Sequence, residues 1–384
     1  MNKKYTVLIV GDVQSIFIYE YIRNILPAEW KVTIANTGAV NRKLPERYKL
    51  YYKNKGVEII NCGIVNKKQF HYIRVLYGLL IGPIKTLLIA QKGYDMIHIH
   101  FIGWNTRLLY KLKGTGRMLV TVYGSDILRA NPKELQRKGR LLKRADIVTI
   151  ETDEMEKVCV QRFPEQLGYK IGRAGFGSEN IEFVWANKNK YTKKECKKIN
   201  DIPEDKIVAF IGYNGSKAQQ HLSVLNELKC LPPDIKDKLY LVFHCSYGME
   251  EAYHEILRQN LKNCGIAGKI DTRYLCDIQL AQLRISADLF LNMQTTDVLS
   301  SSMLEFMVGD AIIIQGSWLK YAELEGKVNI EKINQFEELN NSVKKIIENL
   351  SAYKKECDKN AEVAYKLLTW ESKKSEWENI LGMI

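Results

Sequence analysis

The chain has 384 residues, 46% of them hydrophobic and 26% charged, with 57 Lys and Arg against 44 Asp and Glu and a formal net charge of +13. That apolar content builds packed cores and excludes a disordered or fibrous protein, and the length predicts two domains of about 180 residues each. The eight cysteines form no CxxC and the six histidines no HExxH, which points to reduced thiols and to no metal.

Charge divides the chain unevenly. Residues 1–180 hold 30 Lys and Arg and 15 Asp and Glu, a net of +15, whereas residues 181–384 hold 27 and 29, a net of −2. A basic first half suits nucleic acid, anionic lipid or a phosphorylated acceptor. No helix-turn-helix, zinc finger or RNP pattern supports nucleic acid. The start, MNKKYTVLIVGDV, reads as a strand preceded by lysines and not as a signal peptide. The expected location is cytoplasmic, peripheral on the inner face of an anionic membrane.

Taken in chain order, Tyr5–Val10 reads as a strand and Ile16–Leu26 as a helix. Lys31–Ala35, Val57–Asn61, Met96–His100, Met118–Val122 and Ile147–Ile150 follow as strands with helical stretches between them. This alternation predicts a doubly wound parallel sheet. GDVQS after the first strand lacks the GxGxxG dinucleotide fingerprint, and Gly11 and Asp12 end that strand. Residues 71–90, HYIRVLYGLLIGPIKTLLIA, are interrupted by Arg74, Pro83 and Lys85, which leaves too short an unbroken apolar run to span a bilayer. They predict a buried or half-buried helix, with a membrane-surface helix as the alternative.

His98 and His100 share one strand face, which suits packing. Tyr123, Gly124 and Asp126 follow the next strand, and Asp126 either bonds acceptor hydroxyls or caps the helix beginning near Ile127. Residues 185–205 are polar and lysine-rich, the expected linker. A second alternation begins at Ile207, with strands at Leu239–Phe243, Lys269–Arg273, Ala287–Leu291 and Ala311–Ile314.

Several loops of this second half carry candidate chemistry. IGYNGSKAQQHL places Gly212, Asn214 and Gly215 between a strand and a helix, with Lys217 as a point charge for a phosphate. Tyr247 and Gly248 end another strand, and Arg273 and Tyr274 a third. In SADLFLNMQTTDVLSSSMLEFMVGDAIII, Asp297 falls in the loop after a strand and Glu305 about a turn into the helix Ser301–Val308. Ser300, Ser301 and Ser302 crowd the helix start, where unpaired N–H groups suit a diphosphate. A carboxylate there repels phosphate and is better suited to accept hydrogen bonds from sugar hydroxyls.

The spacing of Asp297 and Glu305 resembles the Glu-x7-Glu signature of family 4 nucleotide-sugar glycosyltransferases, with Asp in place of the first Glu. The 211–228 and 244–257 loops resemble donor loops of GT-B transferases, in particular the family that adds 4-acetamidofucose to the enterobacterial common antigen lipid. YDMIHIHFIGWN and TVYGSDILR resemble first-domain signatures of polysaccharide-assembling transferases, and TWESKKSEWENIL resembles the closing helix of that fold. The resemblance implies an α/β GT-B protein of two Rossmann-like, doubly wound domains facing a cleft. Residues 1–183 would bind the acceptor at Gly11, Asp12, Tyr123 and Gly124, residues 184–365 the nucleotide-sugar donor, and 366–384 would return to the first domain.

By the same resemblance the donor sits on Gly212, Asn214, Gly215, Lys217, Tyr247, Gly248, Arg273, Tyr274, Ser300, Ser301 and Ser302, with Glu305 at the ribose. Asp297, Glu305 and Asp126 are the candidate catalytic residues. The implied activity is metal-independent, retaining sugar transfer from a nucleotide diphosphate sugar, as co-substrate and without a cofactor, to a lipid-linked saccharide in cell-surface polysaccharide assembly. A nucleotide-sugar 2-epimerase and a non-catalytic sugar-nucleotide-binding protein are the alternatives.

Overall fold

The computed structural model describes residues 5–40, 43–63, 80–114 and 116–382. The chain forms two compact units. The first comprises the residues up to Gly177 together with those from Lys373 onward, and the second Ser178–Ser372.

Seven strands build the first sheet: β1 (Thr6–Gly11), β2 (Lys31–Asn36), β3 (Glu58–Asn61), β4 (Met96–His100), β5 (Arg117–Thr121), β6 (Ile147–Ile150) and β7 (Ile171–Arg173). All pair in parallel, in the order β3-β2-β1-β4-β5-β6-β7. The second sheet contains β8 (Ile207–Ile211), β9 (Leu239–His244), β10 (Gly268–Asp271), β11 (Leu289–Asn292), β12 (Ile312–Gly316) and β13 (Glu331–Ile333). These too are parallel, ordered β10-β9-β8-β11-β12-β13. The central strands are continuous apolar runs because helices cover both faces of a doubly wound sheet. Val7 to Val10, Phe210, Ile211 and Ile312 to Ile314 are accordingly buried.

The part of the helix Trp370–Gly382 that belongs to the first unit supplies Trp377, fully buried, with its indole N–H donating to the Gly175 carbonyl at 2.7 Å and its ring edge-on to Tyr21 at 4.8 Å. His98 and His100 pack beneath the same rings. The His98 Nε2 and Thr121 hydroxyl lie 2.7 Å apart, and the His100 Nδ1 and Tyr123 hydroxyl 2.8 Å. Burial holds both imidazoles neutral, pushing His100 down to about 3 and His98 well below its ordinary value, with the neighbouring His100 ring adding to the latter.

In the second unit Phe306 stacks on Phe290 at 4.4 Å and leans on Phe210 at 4.8 Å. Each buried ring is worth roughly 1.5–3 kcal/mol, so the helix Ser301–Val308 is pinned to β8 and β11. Of the apolar stretch 71–90, residues 71–79 lie outside the described residues. Gly82–Ala90 is a helix that buries Ile89 and Ala90 but leaves Ile84 and Leu88 exposed. No helix among the described residues is long and apolar enough to cross a membrane.

Candidate active site

Both sheets carry a topological switch point, between β1 and β4 in one and between β8 and β11 in the other. At such a point the chain leaves adjacent strands in opposite directions, and the diverging loops open a crevice at the carboxyl ends, where open α/β sheets take ligands. The loops after β8 and β11 are joined to each other. Thr295 N donates to the Ala218 carbonyl at 2.9 Å, and Gln220 Nε2 to the Met293 carbonyl at 2.6 Å.

Gln294, fully buried, organises this junction. Its Oε1 accepts from the Tyr213 hydroxyl and from Gln219 Nε2, each at 3.3 Å. Its Nε2 donates to Asn292 Oδ1 at 3.3 Å and to Asp297 Oδ2 at 2.7 Å. Both donors and both acceptor positions of the amide are therefore used, which fixes its orientation. The Tyr321 hydroxyl donates to the same Asp297 oxygen at 2.8 Å while accepting from Asn292 Nδ2 at 2.9 Å. Burial, then the Asp297 charge, holds Tyr321 well above the ordinary phenol value, so it stays a donor. A half-buried carboxylate is thus aimed by two neutral donors, Gln294 and Tyr321.

Glu305 sits in the second turn of Ser301–Val308, 3% exposed. Its Oε2 accepts from Arg284 Nε at 3.0 Å, and that guanidinium also stacks on Phe306 at 4.3 Å. Among the described residues its Oε1 receives only long contacts, from Ser178 Oγ at 3.4 Å and Asn180 Nδ2 at 3.3 Å. One carboxylate oxygen is firmly held and the other is weakly used. Arg284 Nη1 is buried with no hydrogen-bond partner among the described residues, a donor that an incoming ligand oxygen would satisfy.

The other predicted donor residues have these surroundings. Gly212 has φ +63°, open to glycine at little cost. Gly215 is needed for packing, since a Cβ there would lie 2.4 Å from the Met249 Cβ, and its N–H donates to the Tyr247 carbonyl at 2.8 Å. Asn214 turns its loop by accepting from Ser216 N and reaches the Tyr247 hydroxyl at 3.3 Å. Gly248, at φ +74°, closes the facing turn. Lys217 is exposed in a single 3-10 turn and paired with Glu250 at 2.9 Å, a surface pair cheap to exchange for phosphate. Arg273 folds back onto Asp271, with its Nε 3.0 and 3.2 Å from the two oxygens and an Nη at 2.7 Å. Burial alone would raise that carboxyl, but the Arg273 hydrogen bonds and charge hold it below its ordinary value. Tyr274 is exposed beside it. The Ser300 hydroxyl caps its helix by accepting from Met303 N at 3.2 Å, leaving Ser301 and Ser302 half-buried at the helix start.

In the first unit Gly11 leaves no room for a side chain, since a Cβ would meet Ile18 at 2.4 Å. Asp12 bends its own loop by accepting from Gln14 N at 3.0 Å, with Gly38 packed against its carboxylate. Tyr123 stacks on Phe176 at 5.2 Å, and Gly124, at φ +86°, occupies the N-cap position of the helix Ser125–Leu128. Asp126 lies inside that helix and does not cap it. It is 2% exposed, and its two oxygens accept from Ile102 N and Tyr123 N, each at 3.1 Å. Burial pushes its carboxyl up to about 6, against those N–H groups and the Lys138 charge, which pull it down.

Sequence reasoning missed Gln294, Tyr321 and Arg284. One signal was available, since Asn292 and Gln294 are amides two apart at the end of an apolar strand and so share a face. No group of His, Cys, Asp and Glu among the described residues is arranged to hold a metal.

Residues 6–152 match the family model described as "Glycosyl transferase 4-like". No curated protein matches the chain. Among solved structures it is similar to Anabaena Alr3699/HepE in complex with UDP (14% identity, TM-score 0.69, covering 99% of this chain and 100% of that one). It is similar also to a sucrose-phosphate synthase from Thermosynechococcus elongatus (12%, 0.73, 99% of each chain). A UDP-forming trehalose-phosphate synthase from Burkholderia xenovorans resembles it as well (11%, 0.70, 99% and 98%). The first unit thus carries a glycosyltransferase 4-like region, and the two parallel α/β sheets are those of the GT-B glycosyltransferase fold.

Proposed function

We propose that this protein is a glycosyltransferase that takes a sugar from a nucleoside diphosphate sugar held in the second unit and passes it to a saccharide acceptor held by the first. What supports this most is the pair Asp297 and Glu305, flanking the loop that leaves β11 at the switch point, each carboxylate oriented by a buried partner. The Alr3699/HepE protein was crystallised with UDP and UDP-glucose, which makes a uridine nucleotide the first donor to try. In this reading Glu305 takes the ribose hydroxyls and Asp297 faces the transferred sugar. The amides at the start of Ser301–Val308, together with Lys217, stabilise charge on the departing diphosphate.

We read the transfer as retaining and metal-independent. Inversion would need a general base beside the acceptor; of the two carboxylates that could serve, Asp126 accepts a backbone N–H on each oxygen and Asp12 accepts from Gln14 N. We read the acceptor as lipid-linked and the setting as cell-surface polysaccharide assembly on the inner face of a membrane. The net +15 of residues 1–180 and the exposed Ile84 and Leu88 support that placement. Incubation with UDP-sugars, with and without lipid extract, tests the reading. Acceptor-dependent release of UDP is expected. Isomerised sugar without acceptor would instead identify an epimerase, and no turnover with any donor a binding protein.

A further inference from the structure

A cavity of about 300 Å³ in the first unit shares no lining residue with the proposed donor site. Its walls come from the turn after β4 and from the helices Ser125–Leu128 and Pro132–Arg144. Arg107, Arg129, Arg137 and Lys138 line it against two acids, Asp126 and Glu134, so four positive charges less two negative leave a formal +2. Both acids have structural duties. Asp126 accepts the Ile102 and Tyr123 amides, and Glu134 accepts from Asn131 N at 3.0 Å to close the capping box of its helix. That helix carries six basic residues in thirteen, with Glu134 its one acid.

Trp104 gathers two of the cations onto one ring. The Arg107 guanidinium lies 4.1 Å and the Arg137 guanidinium 4.5 Å from its centroid. Each stack is favourable by itself, but the two like charges repel, and burial followed by the Arg137 charge draws Arg107 below its ordinary value. An anion between them would relieve that repulsion. A second, independent sign is strain. Phe101, at the mouth, holds φ +69° and is 44% exposed, a backbone region costly for a bulky side chain and concentrated at ligand sites.

We propose that this pocket binds a phosphoryl group carried by the acceptor. Arg107 and Arg137 form the planar forks that match phosphate oxygens, and Arg129 and Lys138 add charge. The exposed edges of Phe101 and Trp104 pack against the group to which the phosphate is attached. The inference rests on the transferase reading and gives its acceptor a chemistry, a phosphate or diphosphate ester, either on a soluble sugar or in a lipid headgroup.

The test is calorimetric titration of inorganic pyrophosphate into the full chain, with UDP saturating to fill the donor site. Wild type is expected to bind pyrophosphate, and Arg107→Gln and Arg137→Gln each to lose at least tenfold in that affinity. UDP affinity should stay within twofold, which also reports that the variants are folded. UDP binding without pyrophosphate binding, or pyrophosphate affinity unaltered by both substitutions, overturns the pocket and leaves the donor reading standing. Pyrophosphate binding that both substitutions weaken, in a protein that ignores UDP, upholds the pocket and overturns the donor reading. Competition by glucose 6-phosphate assigns the soluble source, and competition by phosphatidylglycerol vesicles alone the headgroup. Competition by neither overturns the assignment to an acceptor.

Discussion

Glu305→Gln is expected to weaken UDP binding roughly 10- to 100-fold, the worth of a hydrogen bond to a charged group at about 1.5–3 kcal/mol. Gln keeps an oxygen for Arg284 Nε, so the contact at 3.0 Å survives in outline while the charge facing the ribose is lost. Alanine would be a poorer probe. It would strand the Arg284 guanidinium, itself 3% exposed, and breaking a buried pair on one side costs about 3–5 kcal/mol. Replacing both partners, as Arg284→Met with Glu305→Met, removes the two buried charges together and should restore most of the stability without restoring the ligand. Calorimetry with UDP, alongside thermal midpoints, separates the effects. A folded Glu305→Gln protein with wild-type UDP affinity would remove Glu305 from the donor site.

The second large effect concerns turnover more than binding. Asp297→Asn should lower kcat roughly 10²–10³-fold, the usual scale for losing one preorganised electrostatic group at a reacting centre, with UDP affinity within about threefold. Tyr321→Phe should act through the same carboxylate as a positioning change. It deletes the 2.8 Å bond to Asp297 and takes from Asn292 Nδ2 its oxygen acceptor at 2.9 Å, leaving it only the Met303 sulfur at 3.4 Å among the described residues. The stranded amide costs about 1–3 kcal/mol of stability. Activity should fall less than in Asp297→Asn, and combining the two should cost far less than the product of the single losses. Kinetics of UDP release, fitted for kcat and KM separately, checks both. A raised KM with kcat unchanged would place Asp297 in ground-state binding alone.

The residues that were easiest to place from sequence are those whose partners are near in the chain. Leu289–Asn292, Ser301–Val308 and Ile312–Gly316 form an apolar strand, a serine-capped helix and a second apolar strand, so the loop bearing Asp297 was legible from pattern alone. The edge strands β7 and β13 were not. Each is three residues long, and Gly172, Arg173, Glu331 and Lys332 break the apolar run that marks a central strand.

The partners of the two acids were equally hidden. Tyr321 reaches Asp297 across 24 positions and Arg284 reaches Glu305 across 21, distances that only the folded sheet closes. Sequence also treats a polar side chain as available when the fold has already assigned it. Ser300 caps its helix, and Arg273 is bent back onto Asp271.

Amide hydrogen exchange in the presence of saturating UDP tests the central claim most directly, because binding at the switch point must quiet the loops that leave β8 and β11. The account predicts slowed exchange over residues 212–220 and 295–303, including the first turn of Ser301–Val308 where N–H groups meet the diphosphate. UDP that binds while leaving both segments unprotected, or that protects only segments of the first unit, would contradict it.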